Sequence, residues 1–338
     1  MNFNGIIGQH EVVESLKRSL SEDRIGHAYI FSGPAGIGKK TISRVFAAFL
    51  LCENPGQAAV CGECKACLLF RNGTNPDFYR INTEEAAVGV DLIRRIQDDS
   101  VLKPIYSRRK IYIIENAEKM TDQAQNCLLK TFEEPQRYVV VILLTTNYEA
   151  LFETVRSRAV HYHFRKYSRE QVSRAIREST RKDGEAIKLY ADYSDGNIGM
   201  ALKLARSGDF SLLRDSITAL LPGVEKGSVD DILEFAGLFE KNRDRIGLLL
   251  DIIQLYYRDV LVLSETGNAN ILINSDKKDM IMDSARRHRS RSIAEKIEAV
   301  EAFRRALKLN ANYQLAMDNL LFRLREGCTN AKGGRSQV

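Results

Sequence analysis

The 338-residue sequence lacks long apolar runs, a secretory leader and a large excess of charge of one sign. No uninterrupted apolar run approaches the roughly 18 residues that a membrane-spanning helix needs, and no charged segment followed by an apolar one opens the chain. Fifty basic against 44 acidic residues leave a formal net charge of +6, which by itself indicates neither a nucleic acid nor an acidic partner. We therefore expect a soluble, cytoplasmic protein without membrane contacts.

Cysteine is also scarce, and four of the six cysteines lie close together: Cys52, Cys61, Cys64 and Cys67. Because the cytosol is reducing, a disulfide framework is not expected. The segment 61–67 can wrap around a small ion while Cys52 closes the site, and tetrahedral thiolate coordination fits Zn²⁺. No Asp, Glu or His replaces a ligand, so the predicted site is closed and structural. An iron–sulfur cluster and free thiols are the alternatives.

A chain of this length, with 44% hydrophobic residues, is expected to fold into two or three domains. Its first half is organised around the segment 33–41 (GPAGIGKKT), which fits the phosphate-loop pattern G-x-x-x-x-G-K. The segment lies between an apolar, strand-like run at 27–32 and a helix-periodic run at 41–51. Strand, loop and helix in this order indicate a P-loop, and a Gly-rich turn without a ligand is the alternative.

In a P-loop, backbone N–H groups surround phosphate oxygens and a lysine reaches the terminal phosphates. The glycines are Gly33, Gly36 and Gly38, and the lysine is Lys39. Lys40, however, follows at the position where a Ser or Thr hydroxyl normally ligates Mg²⁺. Thr41 comes one residue late, so its hydroxyl should point away from the metal, since one helical step is about 100°. A second cation beside a magnesium site is also unfavourable.

A second departure follows the buried strand predicted at 111–114. In P-loop ATPases such a strand ends in an Asp that holds the metal-bound water and a Glu that activates the attacking water. This chain has Glu115 and Asn116 instead. Glu115 can still reach a metal with its longer side chain, but the amide of Asn116 cannot act as a general base. We therefore expect a nucleotide-binding fold without magnesium-dependent hydrolysis.

The remaining pattern predicts an α/β domain followed by helices. Apolar runs predict five strands, at 27–32, 77–82, 111–114, 139–144 and 160–164, and helices at 11–20, 41–51, 90–101 and 122–132. Strands that alternate with helices indicate a parallel sheet covered on both faces. Thr121 is the expected N-cap of the last of these helices. From residue 167 the pattern is helical throughout.

Two C-terminal segments stand apart from this pattern. The basic run 286–291 can meet DNA, although such runs are more often solvated helix ends or loops. The tail 329–338 is expected to be disordered.

Five segments follow one another in order: GPAGIGKKT, the four-cysteine insert, IYIIENAEKMTDQAQNCLLKTFEEP, LLTTN and SRA. This order resembles the bacterial clamp-loader subunits of the AAA+ family, strongly over residues 1 to 207 and beyond that only in helix content and length. The resemblance implies an AAA+ P-loop domain at 1–166 with a zinc-binding insert at 52–67, a three-helix lid at 167–207 and an all-α collar at 208–328.

The resemblance also implies partners. It implies a hetero-pentameric ring with motor (gamma/tau) and delta subunits, which loads a sliding clamp onto primed DNA for DNA polymerase III. Three departures from the motor subunits favour the delta-prime branch of the family: Lys40, the pair Glu115 and Asn116, and Gly199, where the second sensor of a motor has an arginine. Members of that branch are similar in acting as a rigid partner rather than as a motor.

The family keeps a Ser-Arg pair, here Ser157 and Arg158, followed by Ala159 instead of the usual cysteine. The resemblance implies that Arg158 acts as a finger on ATP bound by the neighbouring subunit, because a planar guanidinium matches phosphate oxygens. The predicted function is that of a non-hydrolysing ring subunit. A hydrolysing motor of the same family is one alternative, and an unrelated P-loop transferase or zinc-dependent nucleic-acid module is another.

Overall fold

A computed structural model of the chain describes residues 1–56, 59–82, 87–180 and 184–325. The predicted disordered tail at 329–338 and the last residues of the predicted collar lie outside the described residues. The described chain forms two compact units. The first consists of Met1–Ser179 and Ser194–Leu202, and the second of Thr180–Tyr193 and the described part of Lys203–Val338.

The first unit is built on a five-stranded sheet whose strands are all parallel. The strands are β1 (Ala28–Ser32), β2 (Phe78–Ile81), β3 (Lys110–Ile114), β4 (Val139–Thr145) and β5 (Val160–His163). Their order across the sheet is β2-β3-β4-β1-β5, and every residue of β1, β3 and β4 is buried. Continuous apolar burial is what a parallel sheet covered on both faces requires, so the predicted α/β sheet is confirmed.

Helices precede, connect and follow these strands. They are α1 (His10–Ser21), α2 (Lys39–Leu51), α3 (Lys65–Asn72), α4 (Val90–Ser100), α5 (Asp122–Glu133), α6 (Glu153–Arg156) and α7 (Arg169–Ser179). Thr121 caps α5 as predicted, because its hydroxyl accepts a hydrogen bond of 3.2 Å from the backbone N–H of Ala124. The short helices α3 and α6 were not predicted.

The second unit is helical, which confirms the predicted all-α region. Its helices are α8 (Glu185–Tyr193), the end of α9 (Ile198–Arg206), α10 (Phe210–Lys226), α11 (Val229–Lys241), α12 (Ile246–Thr266), α13 (Lys278–Arg287), α14 (Ser290–Lys308) and α15 (Tyr313–Arg325). The helix α12 packs against α10, α13 and α14, and its Tyr256 and Tyr257 are fully buried. None of the helices in the described ranges combines the length and apolar character of a bilayer span.

The predicted lid at 167–207 contributes to both units. The helix α7 belongs to the first unit, α8 to the second, and α9 crosses from one to the other after Leu202. The domain boundaries at 166 and 207 therefore remain predictions. The basic run 286–291 forms the junction between α13 and α14, where Arg291 pairs with Glu295 at 3.1 Å.

Candidate functional site

The P-loop joins the carboxyl end of β1 to the N-terminus of α2, as the sequence predicts. Gly33, Gly36 and Gly38 have φ angles of 143°, 74° and 102°, a region that residues with side chains rarely adopt. A Cβ atom at Gly33 would lie 2.5 Å from the carbonyl oxygen of Phe164. The loop conformation therefore requires glycine at these positions.

Lys39 is buried at the start of α2 and donates to the backbone of its own loop. Its Nζ lies 2.5 Å from the carbonyl oxygen of Gly33 and 2.8 Å from that of Pro34. Burial lowers the pKa of Lys39 to about 8, although the carboxylate of Glu118 opposes the shift. A phosphate group would therefore have to compete with two carbonyl oxygens for this ammonium.

Lys40 and Glu115, the two unusual residues of the expected magnesium site, form an ion pair with each other. Lys40 Nζ lies 2.6 Å from Oε2 of Glu115, whose side chain is only 2% exposed. The other oxygen, Oε1, accepts a hydrogen bond of 2.5 Å from Nε of Arg80, on the neighbouring strand β2. Burial alone would raise the pKa of the Glu115 carboxyl, but Arg80 and Lys40 hold that pKa below its ordinary value. Both carboxylate oxygens thus contact cations of the chain itself, rather than being left to a metal as the sequence allowed.

A cavity of about 420 Å³ lies where the loops after β1, β3 and β4 meet. Most of the predicted nucleotide-site residues line it: Gly36, Gly38, Lys39, Lys40, Thr41, Glu115 and Asn116. Gly33 is not among the lining residues. The structure adds Thr145 and Thr146 from the end of β4, and Thr146 donates from its N–H and its hydroxyl to Glu118 at 3.2 and 2.6 Å. The carboxyl ends of adjacent parallel strands explain this convergence, because they share one edge of the sheet.

A second cavity of about 260 Å³ adjoins the first and is mainly apolar. It shares Gly36, Gly38, Thr41 and Gly199 with the first cavity. Its other lining side chains include Ile6, Ile7, Ile37, Ile42, Tyr167, Ala175, Ile198 and Leu202. Charged side chains line the first cavity and not the second, and the two cavities meet at the P-loop.

The start of α9 lies directly on the P-loop. The backbone N–H of Gly199 donates to the carbonyl oxygen of Gly36 at 3.2 Å, and the amide nitrogen of Asn197 donates to that of Ala35 at 2.5 Å. A Cβ atom at Gly199 would lie 2.8 Å from the Gly36 oxygen. Gly199, where the resemblance predicts the arginine of a motor subunit, is therefore a point of close backbone approach, which any side chain would disturb.

We expect Gly199→Ala to destabilise the first unit by about 1–3 kcal/mol, because an added methyl group at a tight contact forces the backbone to shift. Gly237→Ala is the matched control, since this glycine lies inside α11 and a Cβ there meets nothing within 4 Å. That control should be neutral or slightly stabilising, as alanine is the better helix former. Thermal unfolding of the two variants measures the difference. An unchanged midpoint for Gly199→Ala would contradict the close approach.

Ser157 and Arg158 follow α6 and do not line the P-loop cavity. Arg158 donates to the carbonyl oxygen of Thr154 at 3.1 Å and pairs with Glu133 at 3.2 Å, and its side chain is 38% exposed. Ser157 is exposed and donates to the same carbonyl oxygen at 3.2 Å. The predicted finger is thus held on the surface by a backbone contact and a partly exposed ion pair.

The four cysteines of the insert converge as their spacing predicts. All four sulfur atoms lie within 4.8 Å of one another, with 3.5 Å between Cys52 and Cys61 and 3.9 Å between Cys61 and Cys67. Cys52 follows α2, whereas Cys64 caps α3 by accepting from the N–H of Cys67 at 3.4 Å. The insert therefore joins the end of one helix to the start of the next.

These four thiols fit a tetrahedral metal ion. Zn–S bonds of about 2.3 Å place neighbouring sulfurs about 3.8 Å apart, close to the separations in this cluster. The N–H of Cys64, which points at the Cys61 sulfur, lowers the pKa of that thiol to about 6, while burial raises the pKa of Cys52 and Cys67. The cluster can hold a metal ion such as zinc, which would supply the charge that four converging thiolates need.

Two family models match this chain and together span most of it. One, described as DNA polymerase III, delta subunit, matches residues 8–168, and the other, described as DNA polymerase III, delta subunit, C terminal, matches residues 217–326. The chain belongs to the clamp-loader subunits of DNA polymerase III.

Relatives of this clamp-loader subunit agree with the family models. Subunit delta' of DNA polymerase III from Bacillus subtilis is 29% identical over 322 residues, which are 94% of this chain and 97% of that protein. Subunit gamma from Buchnera aphidicola is 34% identical over 208 residues, which are 60% of this chain and 57% of the relative. The predicted resemblance to the delta-prime branch of the clamp-loader family is confirmed.

A solved structure supports the fold. A gamma subunit-related protein of DNA polymerase III from Thermotoga maritima matches with a TM-score of 0.52 and 20% identity, over 94% of this chain and 99% of that one. At this identity the likeness concerns the fold alone. It agrees with the predicted AAA+ architecture of the clamp-loader subunit.

Proposed function

We propose that this chain is a non-hydrolysing subunit of a DNA polymerase III clamp loader. The observation that carries the proposal is the ion pair between Lys40 and Glu115, at 2.6 Å. Hydrolysis in P-loop ATPases needs a metal held between the P-loop hydroxyl and the acidic strand end. In this chain a lysine and a glutamate stand at those two positions and bind each other. The neighbouring Asn116 offers an amide, which cannot take a proton from an attacking water.

The proposed role in the ring rests on Arg158 and on the family. The chain would complete a hetero-pentamer with gamma/tau and delta subunits, and the assembly would place a sliding clamp on primed DNA. Arg158 would act as an arginine finger on ATP bound by an adjacent subunit. Its guanidinium is suited to this role because it is partly exposed and lies outside the chain's own cavity. The cysteine cluster would hold one structural Zn²⁺. The alternative is a hydrolysing motor, which the glycines and Lys39 of the P-loop and the 420 Å³ cavity favour.

We expect the purified chain to have negligible ATP turnover, because neither the magnesium ligand nor the general base is present. Steady-state phosphate release in the presence of Mg²⁺ is the measurement, with Lys39→Ala as the variant that removes any activity of this P-loop. A magnesium-dependent rate that disappears in Lys39→Ala would favour the motor instead. Adding a motor subunit, a clamp and primed DNA should then produce a stimulated rate that depends on this chain.

A further inference from the structure

We infer that a cavity at the edge of the sheet opposite the P-loop binds a phosphate monoester that carries an apolar group. This arginine cavity has a volume of about 270 Å³, and its charged lining residues are Arg108, Arg109, Arg137 and Asp23. It shares no lining residue with the two cavities at the P-loop. The inference goes beyond the proposed function, because it assumes neither clamp loading nor the loss of hydrolysis.

The arginine cavity lies where the segments before three neighbouring strands meet. Asp23 precedes β1, Arg108 and Arg109 precede β3, and Arg137 precedes β4. Since β3, β4 and β1 are adjacent and parallel, their amino ends lie along one edge of the sheet. The order of the strands therefore brings Arg109 and Arg137 together, although they are 28 positions apart in the sequence.

Hydrogen bonds fix the backbone that carries these arginines. A guanidinium nitrogen of Arg109 donates to the carbonyl oxygen of Arg137 at 3.3 Å, which joins the two loops. The buried carboxylate of Asp77 accepts from the backbone N–H of Ser107, the residue before Arg108, at 2.8 Å. The backbone of the cationic wall is therefore in place before a ligand binds, which lowers the entropy cost of binding.

The arginines of the cavity are incompletely paired. Arg109 pairs with Asp23 at 3.1 Å, whereas within the described ranges neither Arg108 nor Arg137 forms an ion pair with a carboxylate. The side chain of Asp23 is 88% exposed, and an ion pair with a partner so open to water is weak. An incoming anion can therefore replace this carboxylate on Arg109.

The charge of the lining residues decides the class of anion. Three guanidinium groups against one carboxylate leave two positive charges on the lining. A phosphate monoester carries about −1.5 to −2 at neutral pH, whereas a carboxylate carries a single charge. The planar guanidinium fork also matches two phosphate oxygens at once. A phosphate monoester therefore fits the arginine cavity better than a carboxylate does.

The rest of the lining determines what the phosphate is attached to. The hydroxyl of Tyr138 is already used, because it donates to the carbonyl oxygen of Val101 at 2.8 Å. The other lining side chains are all apolar or aromatic: Leu20, Ile25, Phe49, Leu50, Pro55 and Tyr138 itself. Such a lining suits an uncharged hydrocarbon or aromatic group next to the anion. Bare phosphate would leave this part of the cavity without a partner.

Calorimetric titration of the whole chain with phenyl phosphate tests the inference. The titration uses the Lys39→Ala chain, in which the P-loop lysine cannot contribute, and then the unsubstituted chain as a second background. We expect saturable binding in both, and we expect added salt to weaken it because the cavity is open to solvent. Inorganic phosphate lacks the apolar group and benzoate carries one charge, so each should bind more weakly than phenyl phosphate.

Variants of the lining residues should change this binding in opposite directions. Arg108→Ala and Arg137→Ala remove exposed side chains, and each should weaken binding by about 10-fold to 100-fold, the usual range for loss of a charge-assisted hydrogen bond. Asp23→Asn should strengthen binding, because it removes the carboxylate that competes for Arg109. Arg94→Ala is the matched control, since this arginine is 64% exposed and lies on α4 outside the cavity.

Three results would overturn the inference. The first is a titration with phenyl phosphate that does not saturate at millimolar concentration in either background. The second is equal binding by the Arg137→Ala variant and its parent, which would make the three arginines a solvated basic patch. The third is inorganic phosphate binding as tightly as phenyl phosphate, which would remove the apolar group from the ligand. None of these results bears on the ATP turnover of the chain or on its place in a ring.

Discussion

Replacing Arg158 by alanine should nearly silence one ATP site of the assembled clamp loader, and that site should belong to the adjacent subunit. Arginine fingers contribute roughly 10³ to 10⁵ to turnover where they act. The fold of this chain should not change, because Arg158 is 38% exposed and its contacts are one carbonyl oxygen and one ion pair with Glu133. Pairs of this kind contribute little to stability. The loss should therefore appear in the assembly and not in the isolated chain.

DNA- and clamp-stimulated ATPase and clamp loading by the reconstituted complex measure this effect. A loader with several ATP sites should lose part of its bulk ATPase, and loading should fall further if all sites must act together. Arg158→Lys should not restore activity, since lysine keeps the charge but not the planar fork. Arg174→Ala is a suitable control, because this arginine is 71% exposed and pairs with Glu178 on α7. Wild-type rates with both Arg158 variants would leave the chain as a scaffold without a finger.

Removing the metal from the cysteine cluster should have the second large effect. Structural zinc sites bind with apparent free energies of about 10–16 kcal/mol, and much of that binding is coupled to folding. We expect one Zn²⁺ per chain, and we expect Cys64→Ser to lose the ion and to lower the unfolding temperature of the first unit. The reason is that Cys64 is a predicted ligand, whereas a serine in its place can still accept the N-cap hydrogen bond of α3.

Elemental analysis and thermal unfolding, with and without a chelator, provide the measurement. Cys127→Ser is the matched control, because this cysteine lies on α5 outside the cluster and donates to Gln97 at 3.0 Å, a contact that a serine hydroxyl can also make. Its zinc content should match that of the parent chain. Zinc well below one equivalent in the parent chain, or a visible absorption band of an iron–sulfur cluster, would contradict the assignment.

The sequence alone was sufficient for the features that arise from local patterns. Apolar periodicity located β1, β3 and β4 to within a residue or two, because a strand buried on both faces must be apolar throughout. The glycine spacing located the P-loop, and the cysteine spacing located the four thiols that meet within 4.8 Å. The family, too, was recognisable from the order of these motifs.

Only the tertiary structure showed which contacts the unusual residues of the site make. Arg80 reaches Glu115 across 35 positions of sequence because β2 lies beside β3, and no local pattern encodes that order of strands. From the sequence, Gly199 was interpreted as the replacement of an arginine. In the fold, its N–H on α9 lies 3.2 Å from the carbonyl oxygen of Gly36 in the P-loop. From the sequence, Lys40 was expected to be an unfavourable charge beside a metal. In the fold, the buried carboxylate of Glu115 is its counterion. Each of these depends on contacts between distant segments, which form only when the sheet has placed their strand ends along one edge.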